Sequence, residues 1–313
     1  MRTAFIERLH ALAATDHCIQ LVVGDLGYSV VEPFAESYPD RFLNAGVAEQ
    51  NMTTVSAGMA LGIGATVFTY SIANFSTMRC LEQIRNDVCY HGANVKVVIV
   101  GGGVAYGTHG YTHFAVEDIA VMRAMPGIVV AVPADPHESR ALTTMATERH
   151  GPWYLRLGRN REPCLHAAEP VFDRPGQMLA MSGASDTRGG VILATGPILA
   201  HAIEAADKAR AAGIEVSVWS VPFIKPFDGE HLRSLAKRCS WLLAVEEHAP
   251  TGGLGSAVAE ALLGSCIPTP VAHASFPEMI DRSGSQDWLR SRYGIDSDGL
   301  FDRIRALHAE HGT

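Results

Sequence analysis

Apolar and polar positions along this chain follow two spacings, one helical and one strand-like, that replace each other again and again. Arg2–Ala14 carries apolar residues at helical spacing and leads into a short apolar stretch, Ile19–Val23, which reads as a strand. Ala48–Leu61 reads as a second helix, Thr66–Tyr70 as a strand and Phe75–Cys89 as a third helix. In that third helix Met78, Leu81, Ile84 and Val88 recur every three to four positions, which makes one buried face. Val95–Val100 (VKVVIV) is an apolar run closed by Gly101-Gly102-Gly103, as expected of a parallel strand covered on both faces. Ile128–Val132, a helix from about Pro136 and the strand Trp153–Leu157 continue the alternation.

The pattern lapses over Asn160–Arg188, where prolines and glycines (Pro163, Pro170, Pro175, Gly176, Gly183) leave no clear period. It resumes with a strand at Val191–Ala194, a helix at Pro197–Ala212 closed by Gly213, strands at Glu215–Trp219 and Trp241–Val245, and a helix at Gly253–Leu263. The fold class expected is α/β, as two doubly wound domains: residues 1–165, a linker at 166–188, and residues 189–313.

Composition agrees with buried parallel sheets. Of 313 residues 47% are hydrophobic and 19% charged, and 30 glycines suit many tight strand–helix turns. The formal net charge of −8 argues against a nucleic-acid partner. No apolar run reaches the roughly 18 residues needed to span a bilayer. The N-terminal stretch also lacks the uninterrupted apolar core of a signal peptide, so a cytoplasmic setting is expected. The six cysteines are scattered with no CxxC pair, and read as reduced, mostly buried thiols.

The segment that bears on chemistry is Asn44-Ala45-Gly46-Val47-Ala48-Glu49-Gln50-Asn51-Met52, a turn running into a helix with Glu49 in its first turn. Taken alone, Glu49 reads as an acid placed at the positive end of a helix dipole. The run NAGVAEQNM, followed by AGMALG, resembles the pyrimidine-binding domain of the transketolase family. So do Phe68–Val88, the loop Gly107–Asp118 (GTHGYTHFAVED), Pro133-Ala134-Asp135, Tyr154–Arg159, Glu246-Glu247-His248 and Gly252–Ser256, in the family's order along nearly the whole chain.

The resemblance implies thiamine diphosphate as cofactor. Glu49 would hydrogen-bond N1′ of its aminopyrimidine and so help activate it, and Phe75 would stack on that ring. Ile72, standing at one position of the family's aromatic box, and Arg79 complete the set expected at the cofactor. His113 matches the family's substrate-facing histidine, Ser29 a substrate-binding serine and Arg159 an arginine whose planar fork suits a phosphate. His109 stands where the family has an acid, Phe114 where it has glutamine, and Gly101–Gly103 where it has a histidine, which points away from the usual pentose phosphates. His109, His113 and Glu117 are four apart, but Gly107 and Gly110 put them in a loop, so no metal ligands are assigned in this chain.

The family's Gly-Asp-Gly signature, whose acid together with a later Asn holds Mg²⁺ and the diphosphate, does not occur in the sequence. The resemblance therefore implies the C-terminal half of a split transketolase. Its partner is an N-terminal subunit carrying the diphosphate site and the Mg²⁺, in an α2β2 heterotetramer acting on a small sugar. Two other readings stand beside ketol transfer. One is a β subunit of an acyl-transferring enzyme like the 2-oxoacid dehydrogenases, passing a two-carbon unit to a lipoyl or carrier protein. The other is a non-catalytic subunit that has kept the fold.

Overall fold

The computed structural model describes residues 1–159, 162–183 and 188–312. Its strands are β1 Ile19–Val23, β2 Phe42–Asn44, β3 Thr66–Ile72, β4 Val95–Val100, β5 Val129–Ala131 and β6 Trp153–Leu157, then β7 Leu179–Ser182, β8 Gly190–Ala194, β9 Val216–Ser220, β10 Phe223–Lys225, β11 Trp241–Val245 and β12 Val271–Ala274. Among the described residues they form a seven-stranded sheet ordered β10-β5-β6-β4-β3-β1-β2 and a five-stranded sheet ordered β12-β11-β8-β9-β7. Pairing is parallel throughout, except β10 on β5 and β7 on β9.

The central strands are parallel because helices cover both their faces. Every residue of β4 is buried, Lys96 included. Its ammonium donates to the carbonyls of Arg149 and Gly151 at 2.7 and 2.6 Å, just past the helix Pro136–Glu148, and burial pushes its pKa down to about 7. In the larger sheet the chain leaves β1 for β2 on one side and then crosses back to β3 on the other. That reversal opens a crevice beyond the carboxyl ends of β1 and β3, the place where open parallel sheets bind ligands.

Three expectations need correction. The helix read at Phe75–Cys89 is broken: Ala73–Thr77 is followed by a short turn at Leu81–Gln83 and a π-helical stretch at Ile84–Tyr90. Met78 faces solvent rather than the core, and Cys80 leaves helical backbone at φ −103°, ψ 11°. The π stretch accommodates the offset and returns Ile84 and Val88 to the interior. Within the expected linker at 166–188, Leu179–Ser182 is itself a strand, β7, paired along β9; Asn160, Arg161 and residues 184–187 lie outside the described residues. The thiols also differ from expectation, since Cys80 and Cys89 are buried while Cys18, Cys164 and Cys266 are exposed.

The two halves share structure. β10, from the second half, extends the first sheet beside β5. One apolar core runs from Val97 and Tyr154 to Leu193 and Leu242. Ser220 on β9 donates to Glu138 at 2.6 Å, and Asp135 caps the helix of Glu138 while accepting from the backbone of Leu165 and His166. No helix among the described residues is long and apolar enough to cross a membrane.

Candidate active site

Polar ties join the loops that leave β1 and β2. Asn44, ending β2, accepts from the backbone of Asp25 and Gly46 at 3.1 and 2.9 Å and donates to the Asp25 carboxylate at 3.0 Å. The exits of β1 and β2 are thereby fixed to each other. Four residues further on, Ala48 is the N-cap, at φ −144°, ψ 60°, and Glu49 opens the helix Glu49–Ile63 with its carboxylate 1% exposed. One carboxylate oxygen accepts from Arg79 Nη1 at 2.6 Å; the other lies 3.5 Å from the Ser71 hydroxyl on β3. Gly24, just after β1, makes room for this group. A Cβ there would come within 3.2 Å of Glu49 Cγ and 3.4 Å of Ser71 Oγ.

From Glu49 a band of rings and cations runs across the carboxyl ends of the strands. The Arg79 guanidinium lies 5.0 Å from the centroid of the half-buried Phe75 ring. Phe75 meets His113 edge-on at 5.2 Å, and His113 lies 4.9 Å from His109. Tyr106 packs against both histidines at 5.7 and 6.3 Å, and the Arg159 guanidinium sits 4.9 Å over the Tyr106 ring. The loop bearing the histidines is two tight 3₁₀ turns, Gly107–His109 and Tyr111–His113. It is pinned by Asn74, which donates to the Thr112 carbonyl at 3.0 Å, and by Tyr111, which donates to Glu117 at 2.8 Å.

The structure thus gathers Glu49, Phe75, Arg79, His109, His113 and Arg159 into one band. Ile72 ends β3 half-buried against the core that includes Phe68, Tyr70 and Val98. Ser29 is exposed on the loop after β1, at φ 63°, and its backbone N–H donates to Glu32 at 2.7 Å. Tyr106, Ser71 and Gly24 belong to the site and were not singled out from the sequence. A signal existed for Tyr106 in the glycines it packs on: Gly101 has φ +87°, and a Cβ there would fall 2.2 Å from the Tyr106 ring. Ser71 carried none, because it is one more residue of a buried strand.

Burial holds the His113 pKa below the ordinary histidine value, and the neighbouring His109 lowers it further. Replacing His109 by Asn removes only the second cause. The His113 midpoint, followed by NMR of its ring protons, is expected to rise yet stay below that of a free histidine. An unchanged midpoint would show that the two rings do not interact.

The remaining motif residues are structural. Glu246 accepts from the backbone of Leu254 and Gly255 at 2.7 and 2.9 Å, so a carboxylate of this chain occupies the amino end of the helix Leu254–Leu262. Glu247 pairs with Arg290 through two bonds of 3.0 Å. His248 accepts from the Ala120 backbone at 3.3 Å, across the two halves. Among the described residues, no group of three or more His, Cys, Asp or Glu is placed to hold a metal ion.

Comparison with known proteins matches residues 1–163 to the transketolase pyrimidine-binding domain and residues 186–300 to the transketolase C-terminal domain. The chain is 34% identical over 293 residues to a subunit of the apulose-4-phosphate transketolase of Actinobacillus succinogenes, covering 93% of this chain and 92% of that one. It is 32% identical over 309 residues to the 6-deoxy-6-sulfo-D-fructose transketolase subunit SqwH of a Clostridium species, covering 98% and 93%. A solved structure described as a split gene transketolase, inactive beta4 tetramer, superposes with a TM-score of 0.87 at 33% identity over 99% and 98% of the two chains.

Proposed function

This chain belongs to the transketolase family, as the C-terminal subunit of a split transketolase, and from that premise we propose that the Glu49–Phe75 crevice takes the aminopyrimidine of thiamine diphosphate. The observation that carries the reading is the Glu49 carboxylate, sealed at a helix amino end in the switch-point crevice and coupled through Arg79 to a flat aromatic face. The residues present fit that group. A carboxyl can share a proton with a ring nitrogen, the Phe75 face suits a planar heterocycle, and Gly24 leaves the cradle open. When bound, thiamine diphosphate supplies the electron sink for breaking the bond beside a ketone.

The side chains of this subunit then have separable tasks. Glu49 holds the proton at N1′, and Ser71 steadies its carboxylate. His113 and His109 face the sugar, orienting hydroxyls and moving protons at them. Arg159 binds a terminal anion through its planar fork. The named substrates of the two relatives carry such groups, a 4-phosphate in one and a 6-sulfo group in the other. Ser29, exposed on the loop after β1, is the substrate-binding serine of this reading. Diphosphate and Mg²⁺ belong to the N-terminal partner, whose Gly-Asp-Gly signature this sequence lacks. Two copies of each chain make a cytoplasmic α2β2 enzyme, with residues 1–165 and 189–313 as this subunit's domains. The acyl-transfer alternative draws no support from the relatives' names.

Reconstitution with the N-terminal partner tests the proposal. Transfer of a two-carbon ketol unit from a phosphorylated ketose to an aldehyde is expected only when both subunits, thiamine diphosphate and Mg²⁺ are present. In that pair, Phe75→Ala is expected to weaken cofactor binding about three- to tenfold, the worth of one ring stack. A reconstituted pair that binds the cofactor but transfers only acyl groups would refute ketol transfer.

A further inference from the structure

We infer that Arg79 is a place-holder for the cofactor's pyrimidine ring, filling the slot between Phe75 and Glu49 while the site is empty and leaving it when thiamine diphosphate binds. The inference rests on the reading above that this slot receives the pyrimidine.

Its basis is a conflict of position. A pyrimidine that stacks on Phe75 and hydrogen-bonds Glu49 must lie within stacking distance of the one and bonding distance of the other. The Arg79 guanidinium is there already, 5.0 Å from the Phe75 centroid and 2.6 Å from the Glu49 carboxylate. It resembles the ring it would stand in for, being planar, with N–H groups along its edge and a face that packs on an aromatic. Ring and guanidinium cannot share the slot.

The chain has reason to keep it filled. The Glu49 carboxylate is 1% exposed and has among the described residues, besides Arg79, only the Ser71 hydroxyl at 3.5 Å. An ionised carboxyl sealed from water without a partner is costly. Arg79 provides that partner, yet its own side chain is 47% exposed, so the guanidinium has an open way back to water. It also springs from the break between the helix ending at Thr77 and the turn starting at Leu81, beside the exposed Met78, where no regular helix fixes its direction.

A place-holder stabilises the empty state alone, which distinguishes it from a cofactor ligand and from a plain structural ion pair. Thiamine diphosphate binding to the assembled pair of subunits, with Mg²⁺, is measured by calorimetry for the wild type and for Arg79→Ala and Arg79→Met, the second keeping the apolar stem. Melting temperatures are taken with and without saturating cofactor. Both variants are expected to bind the cofactor about five- to tenfold more tightly than wild type. They are expected to melt lower without cofactor and at the wild-type temperature with it. In Arg79→Ala, methylguanidinium is expected to compete with the cofactor, since it refills the vacated slot.

Weaker binding in both variants would make Arg79 a direct cofactor ligand and overturn the inference. An equal loss of melting temperature with and without cofactor would reduce Arg79 to a structural pair and overturn it as well. Failure of the underlying site reading looks different: a Glu49→Ala/Phe75→Ala double variant would then bind the cofactor as the wild type does.

Discussion

Replacing Glu49 by glutamine is expected to lower ketol transfer by at least about a hundredfold in the reconstituted enzyme, with folding and subunit assembly unchanged. Glutamine has the shape of glutamate, and its carbonyl oxygen can still accept from Arg79 or Ser71, the two partners seen at 2.6 and 3.5 Å. Being neutral, it adds no desolvation cost at a position 1% exposed. What it loses is the capacity to share a proton with a ring nitrogen, and that is the whole task proposed for the residue. The comparison is therefore of turnover at saturating cofactor, with circular dichroism and sedimentation as controls for fold and assembly. Turnover within threefold of wild type would remove Glu49 from the mechanism and leave the crevice as a binding cleft only.

The sequence was most legible where strands are buried on both faces. β1, β4, β6 and β11 begin and end where the apolar runs do, because in a parallel sheet covered by helices nearly every residue of the run must be apolar. Edge strands escaped. β2, β7, β10 and β12 are three or four residues long, and β2 and β12 are partly exposed, so neither period has room to show. The break after Phe75 escaped for another reason. Helical spacing continues through residues 78–88 of the sequence, while the backbone leaves the helix at Cys80 and resumes as a π-helical stretch at Ile84–Tyr90, an offset that apolar spacing does not show.

The site was legible in parts that reflect the same physics. Glu49 and Phe75 sit in contiguous runs that resemble a family's, so they could be read from local wording. Their coupling through Arg79, and the extension through Tyr106 to Arg159, depend on which loops the strand order brings together. Ser29 was read from local wording as well, and the structure shows it exposed on the loop after β1 with its backbone bonded to Glu32. Glu246, Glu247 and His248 were visible as a motif, yet only their partners, a helix amino end, Arg290 and the Ala120 amide, show that they hold the structure together.

Arg156→Met is expected to destabilise the protein by about 3–5 kcal/mol, the usual penalty for removing one partner of a buried ion pair. Arg156 on β6 is 2% exposed and donates in four directions: twice to Asp118, at 2.7 and 3.2 Å, once to the Ala115 carbonyl at 2.7 Å and once to the Glu247 carbonyl at 3.0 Å. Asp118 is itself 1% exposed and also accepts from the Tyr154 hydroxyl at 2.6 Å. Methionine fills much of the volume but leaves the Asp118 charge with one neutral donor, and it takes a donor from two carbonyls, of which Ala115 keeps its bond from the Gly103 amide. One of those carbonyls belongs to the segment that follows the histidine loop, the other to the exit of β11 in the second sheet, so the loss loosens the domain contact and the loop bearing His113 together. In a chain of this size the melting temperature should fall on the order of 5–10 °C. Replacing Asp118 by Asn in the same chain should recover part of the loss, because the stranded charge is what costs most. If Arg156→Met alone melted within about 1 °C of wild type, the pair would have to be solvated, contrary to its burial, and the rigidity of the histidine loop would need another source.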